Sequence, residues 1–122
     1  MIDIKLWKKC IYWKCISLQN PNEILGTLGI YEEPDNIVYI SAFYVTESRR
    51  GNGIGKRLWD ICFDYIQEIN EQVPNSKYKV QLITVKDIMR DAYSFYLKAG
   101  FVEVPLDFQT NNPAVVKMEL LV

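Results

Sequence analysis

The segment Arg49-Arg50-Gly51-Asn52-Gly53-Ile54-Gly55-Lys56-Arg57 joins two different periodicities. Before it, residues 37–45 (Ile-Val-Tyr-Ile-Ser-Ala-Phe-Tyr-Val) are apolar on both faces, as a central strand would be. After it, Ile54, Leu58, Ile61, Cys62, Tyr65 and Ile69 fall on one helical stripe, which predicts a helix from Gly53 to about Val73. Gly51, Gly53 and Gly55 let the backbone turn sharply and approach a ligand without Cβ interference. Free N–H groups at a helix start, with the positive end of its dipole, make an anion site. Arg49, Arg50, Lys56 and Arg57 crowd into this segment although the chain carries a net charge of −1. That local bias suits a pyrophosphate or several phosphates. A P-loop does not fit, because Arg57 follows Lys56 and no glycine stands five places before Gly55. The dinucleotide fingerprint does not fit either: the glycines run GxGxG, not GxGxxG, and the strands before them form a meander.

Outward from this segment, the N-terminal side reads as strands. Ile2, Ile4 and Leu6 alternate with Asp3 and Lys5, and residues 10–18 are rich in β-branched and aromatic side chains. Turn residues 19–22 lead to a strand at 24–31, and turn residues 32–36 lead to the strand at 37–45. The aromatics Trp7, Tyr12 and Trp13 read as sheet packing. On the other side, Pro74-Asn75 ends the helix, 78–85 is a short strand, and 88–99 is a second helix. That helix has Ile88, Ala92, Phe95, Tyr96 and Ala99 on one face, and Gly100 is its left-handed C-cap. Residues 101–104 and 114–121 are two more strands. The strands on either side of the first helix should be parallel neighbours in a mixed sheet. Trp59 and Phe63 widen the apolar arc of that helix, which is either a broad buried face or a contact with a second subunit in a homodimer.

The 122 residues suffice for one domain, 1–122, with a real core. A hydrophobic content of 49% with 24% charged residues is ordinary globular composition and argues against disorder. The near-neutral charge argues against nucleic-acid or membrane-surface binding, and no apolar run approaches the roughly 18 residues of a membrane span. Cys10, Cys15 and Cys62, odd in number and widely spaced, read as reduced thiols of a cytoplasmic protein. The absence of histidine removes Ser-His-Asp and Cys-His triads and every His-containing zinc set, and no metal site is expected.

Strand, then Arg50-x-x-Gly53-x-Gly55, then helix resembles the coenzyme-A signature of the GNAT superfamily of N-acetyltransferases. About 40 residues on, Ala92, Phe95, Tyr96, Gly100 and Phe101 match the family's second signature, A-x-x-F/L-Y-x-x-x-G-F, in register. The resemblance covers roughly residues 23 to 121. It implies a mixed, mostly antiparallel twisted α/β sheet with a central, splayed parallel pair and helices on its faces. The two N-terminal helices usual in the family are reduced or absent, since only 23 strand-like residues precede Ile24. It implies transfer of an acetyl group from acetyl-CoA to a primary amine by direct attack in a ternary complex. The alternative is a coenzyme-binding module of the same fold that has lost turnover. Backbone groups of Phe43, Tyr44 and Val45 would face the pantetheine arm. The amides of Arg50, Gly51, Asn52, Gly53, Ile54, Gly55 and Lys56 would hold the pyrophosphate, and Tyr96 would protonate the leaving sulfur. Met89 takes a ligand-contacting position where the family often has Asn, and Tyr39 a position where some members carry a glutamate base. Glu32 and Glu33 read as too far along the strand from Val45 to serve as base. Glu47, Asp87 and Glu103 stay open for that role, as does a water relay past Tyr39 or Ser41.

Overall fold

The computed structural model describes residues 10–72 and 77–122. The expected alternation at Ile2–Leu6, Trp7 and the Pro74-Asn75 helix stop lie outside them. Six strands form one sheet in the order β1-β2-β3-β4-β6-β5: β1 (Cys10–Ile16), β2 (Ile24–Glu33), β3 (Ile37–Val45), β4 (Lys79–Val85), β5 (Val102–Val104) and β6 (Val115–Leu121). Helix α1 (Ile54–Glu71) connects β3 to β4, and α2 (Arg90–Ala99) connects β4 to β5. β1, β2 and β3 are an antiparallel meander, β3 and β4 are parallel, and β6 runs antiparallel to both β4 and β5. This is the mixed sheet the sequence implies. The β2–β3 turn is tight because Asp35 and Asn36 both take positive φ (68° and 60°), which those two residue types tolerate.

Both crossovers, β3-α1-β4 and β4-α2-β5, link parallel strands and step the same way along the sheet. Right-handedness therefore puts both helices on one face. The packing agrees: Phe101 at the start of the β5 turn meets Trp59 of α1 (ring centroids 5.5 Å) and Tyr96 of α2 (5.5 Å). The core lies between that face and the helices, with Leu28, Ile30, Val38, Val80, Cys62, Ile66, Phe101 and Met118 fully buried. Trp13 of β1 packs edge-on against Tyr65 of α1. Trp59 is buried within the chain, against Phe63 and Phe101, so the wide apolar arc of α1 is core. Two expected stripe members are corrected. Ile61 is exposed and its place is taken by Trp59 and Ile66, since α1 rests on the sheet one position round from the face the periodicity suggests. Ile88 precedes α2 and is 77% exposed.

The end of α2 is a Schellman motif. Gly100 has φ 104°, its N–H donates to the Leu97 carbonyl, and the Phe101 N–H donates to the Tyr96 carbonyl. This clasp sets Phe101 directly under Tyr96.

Burial pushes the Cys62 thiol up to about 12 and the Tyr96 phenol up to about 12. Folding thus favours both neutral forms. Their contribution is complete below the ordinary thiol value of 9.0 and is lost as pH rises through about 12. The urea midpoint should stay level from about pH 7 to pH 9 and fall steeply between about 10 and 12. A midpoint unchanged to pH 12 would show that these two groups ionise equally well in the folded chain.

Candidate active site

The parallel pair β3/β4 is joined over three rungs only: Ile37 with Lys79, Val38 with Val80, and Tyr39 with Gln81. Beyond Tyr39 and Gln81 the two strands separate while each keeps its antiparallel neighbour, so the sheet splits into a V. A bulge on β3 adds to the divergence. Between Gly29–Ser41 and Thr27–Tyr44 the register slips by one residue, Ala42 takes φ 50°, and the Thr27 hydroxyl donates to the Ala42 carbonyl at 2.7 Å. The extra residue inverts the alternation. Val38 and Ile40 face the helices before the bulge, and Phe43 and Val45 face Gly55 at the start of α1 after it.

A cleft of about 830 Å³ opens at this split. Phe43, Tyr44 and Val45 form one wall, Arg50, Gly51, Gly53, Ile54, Gly55 and Lys56 its rim, and Met89 and Tyr96 the other wall. Asn52 does not line it. Arg49 of the basic segment also lines the cleft, as do Ile88, Arg90, Asp91, Ala92 and Phe95, none of which the sequence had placed at the ligand. All but Arg49 flank or belong to α2, whose N-terminal turn meets that of α1 across the gap. The residue types alone did not announce this meeting.

The α1 N-terminus is bare. Gly53, its N-cap at φ 81°, has no side chain to cap it. The first bond of the helix runs from the Arg57 N–H to the Gly53 carbonyl, and none of the amides of residues 51–56 donates to a described residue. The α2 N-cap, Met89, likewise makes no side-chain cap bond. Two helix starts with unpaired N–H groups thus face one cavity, an arrangement suited to an anion.

The basic side chains behave differently from one another. Arg50 folds back, its Nε donating to the Val45 carbonyl (3.1 Å) and its guanidinium lying 5.6 Å from the Tyr44 ring centroid. Lys56 is held by Asp60 at 2.6 Å, an exposed pair one helical turn apart. Its charge is therefore largely answered before any ligand arrives. Lys56→Gln should change coenzyme affinity by less than about threefold, and Asp60→Asn, which frees the ammonium, should tighten it by a similar factor, since exposed pairs contribute at most about 1 kcal/mol. Calorimetric titration of both variants checks this, and a tenfold loss in Lys56→Gln would place that ammonium on the ligand.

Tyr96 is the buried polar group of the cleft. Its ring is fixed among Phe43, Phe95 and Phe101. Among the described residues its hydroxyl has no hydrogen-bond partner, although no buried side-chain polar atom is left unsatisfied, so it opens on the cleft. Burial keeps it protonated. The other groups left open as bases lie elsewhere. Glu103 accepts from the Tyr93 hydroxyl and pairs with Lys86, Asp87 lines a shallow hollow behind α2, and Glu47 sits in the exposed turn before the glycines.

The acetyltransferase (GNAT) family model matches residues 4–101. The chain belongs to the GNAT family. The match starts well before the resemblance at residue 23 and stops at the Phe101 that closes the second signature. No curated protein matches in sequence. Among solved structures, a GNAT acetyltransferase from Staphylococcus aureus Mu50 superposes with TM-score 0.75 at 21% identity, over 95% of this chain and 70% of that one. The NatC complex bound to Gag peptide and CoA contains a chain that superposes with TM-score 0.74 at 21% identity, over 91% of this chain and 70% of that one. An aminoglycoside 6′-N-acetyltransferase complexed with coenzyme A gives TM-score 0.68 at 16% identity, over 96% and 76%. At these identities the likeness is one of fold. No helix among the described residues of this GNAT chain is long and apolar enough to cross a membrane.

Proposed function

We propose that residues 1–122 form one N-acetyltransferase domain that moves an acetyl group from acetyl-CoA to a primary amine. The amine belongs to a small molecule or to the α-amino group of a peptide or protein. The observation that carries the reading is the bare α1 N-terminus at the mouth of a split sheet. Amides 51–56 fit a pyrophosphate, the edge of β3 at Phe43, Tyr44 and Val45 fits a pantetheine amide chain, and the thioester then reaches the vertex beside Tyr96. Structural relatives that hold coenzyme A support the same ligand.

In the reaction a neutral amine attacks the thioester carbonyl, a C–N bond forms and the C–S bond breaks. The sulfur leaves as thiolate and takes the Tyr96 proton, which solvent restores. The proton of the new C–N centre leaves by water past Tyr39 or Ser41. An amine that is partly neutral near pH 7 is the better nucleophile, which favours an α-amino group (pKa about 7.7–8.0) over an ordinary lysine (about 10.4). No covalent enzyme intermediate is needed, and Cys62 is sealed in the core. We place the protein in the cytoplasm, where thiols such as those of Cys15 and Cys62 stay reduced.

A second reading, a coenzyme-binding module without turnover, draws on Tyr39 and Met89 standing where catalytic or ligand-binding side chains are common. Incubation with acetyl-CoA and a mixed amine panel separates the two. Amine-dependent release of free thiol is expected. Protection by the coenzyme against heat with no thiol release would establish the module instead.

A further inference from the structure

On the sheet face turned away from both helices, one residue from each of four neighbouring strands stands in a row. Tyr31 pairs with Tyr39, Tyr39 with Gln81, and Gln81 with Glu119. Tyr39–Gln81 is the last rung before β3 and β4 part, so the row crosses the vertex of the V. It lies on the far side of the slot from the cleft described above. The rings of Tyr31 and Tyr39 pack at 5.2 Å. Gln81, almost wholly buried, donates from Nε2 to Glu119 Oε2 at 2.8 Å and so fixes that carboxylate. At the other end Glu33 stands two residues along β2 from Tyr31, on this same face of the sheet. Burial first, and then the Glu33 charge, raises Tyr31 to about 12 and lifts Tyr39 as well. Neither Glu33 nor Glu119 has a cationic partner among the described residues, whereas the nearby Asp107 is paired with Lys117.

Electron-rich phenols in a row that ends on two carboxylates with no ion pair among the described residues, at the vertex where β3 and β4 part, form a cation seat. We infer that the acceptor carries a second, protonated nitrogen, as an aliphatic diamine does. The Glu33–Tyr31–Tyr39–Glu119 row holds that nitrogen while the neutral one reaches the thioester through the split. This rests on the transferase reading and names the substrate class for it. It also gives Glu33 a use. Its distance along the strand from Val45 argued against it as a base, but the relevant landmark is Tyr39 at the vertex, whose partner Tyr31 stands two residues from Glu33 on the same face.

The test compares butane-1,4-diamine with butylamine in the full chain saturated with acetyl-CoA. The diamine should exceed the monoamine in kcat/KM by about tenfold or more, and Glu33→Gln and Glu119→Gln should each bring the ratio down several-fold, with the KM for acetyl-CoA unchanged. Calorimetry on the CoA-loaded protein reads the same preference as binding, independently of turnover. Equal kcat/KM and equal binding for the two amines overturns the inference, as does a preference that both glutamine variants retain. Carboxylate-dependent diamine binding with no thiol release for any amine supports the cation seat and overturns the transferase reading instead.

Discussion

Tyr96→Phe should lower kcat by about 10²–10³-fold while the acetyl-CoA Kd stays within about twofold of wild type, the size expected when a general acid is removed from a transition state. The hydroxyl has no partner among the described residues and its ring is held by Phe43, Phe95 and Phe101, so phenylalanine fills the same space without breaking a bond. Thermal stability is therefore a clean control and should not fall. A phenol near 12 is a weak acid towards an ordinary thiolate, whose conjugate acid lies near 8.5; that transfer is uphill by roughly 5 kcal/mol. The difficulty eases inside the cleft. A pantetheine thiolate expelled beside Tyr96 loses water too, which raises its proton affinity towards that of the phenol and lowers this cost. The measurements are kcat with a saturating amine and the Kd by calorimetry. Full activity in Tyr96→Phe would leave the sulfur to be protonated by water.

Gly53→Val should weaken acetyl-CoA binding by about 100-fold, because it disturbs the conformation that aims the amides, not because it clashes. A Cβ on Gly53 meets nothing within 4 Å, but φ is 81°, a region that costs an L-residue roughly 1–2 kcal/mol and a β-branched one more. The loop relieves that strain by rewinding, and amides 51–56 lose their common focus. Gly55→Ala is the contrast. The sequence treats these two glycines alike, but Gly55 lies inside α1, and a Cβ there would sit 3.6 Å from Val45 and 3.8 Å from Phe43, ordinary contacts. Replacing a helical glycine by alanine gains up to about 1 kcal/mol of helix propensity. Gly55→Ala should fold at least as stably as wild type and bind far better than Gly53→Val. Calorimetric titration of the two side by side decides it, and near-wild-type affinity in Gly53→Val would move the pyrophosphate away from this loop.

The strands and helices were legible because their signals are local. The switch from apolar-throughout at 37–45 to a helical stripe after Gly53, and the glycine stop at Gly100, each lie within a few residues and survive in the structure. The parallel pairing of β3 and β4 followed from the length of the crossover. What stayed hidden depends on partners distant in sequence. The pairing of Lys56 with Asp60 is a choice of rotamer, and the tilt that buries Ile66 in place of Ile61 is set by the sheet beneath. The row from Tyr31 to Glu119 joins residues 88 positions apart, and only the registers of three ladders bring it together. No spacing in the chain marks Gln81 as the neighbour of Tyr39, or Glu119 as the neighbour of Gln81.

The bulge at Ala42 gives β3 one more residue than its ladder with β2 uses. The strand absorbs that surplus without turning Phe43 and Val45 away from α1. Excising Ala42 would restore a regular ladder with both side chains still on the helix side, while the positive φ and the Thr27 bond that accompany the bend would be lost. Removal of this one residue should therefore leave the cleft wall facing the same way and narrow the gap between β3 and β4.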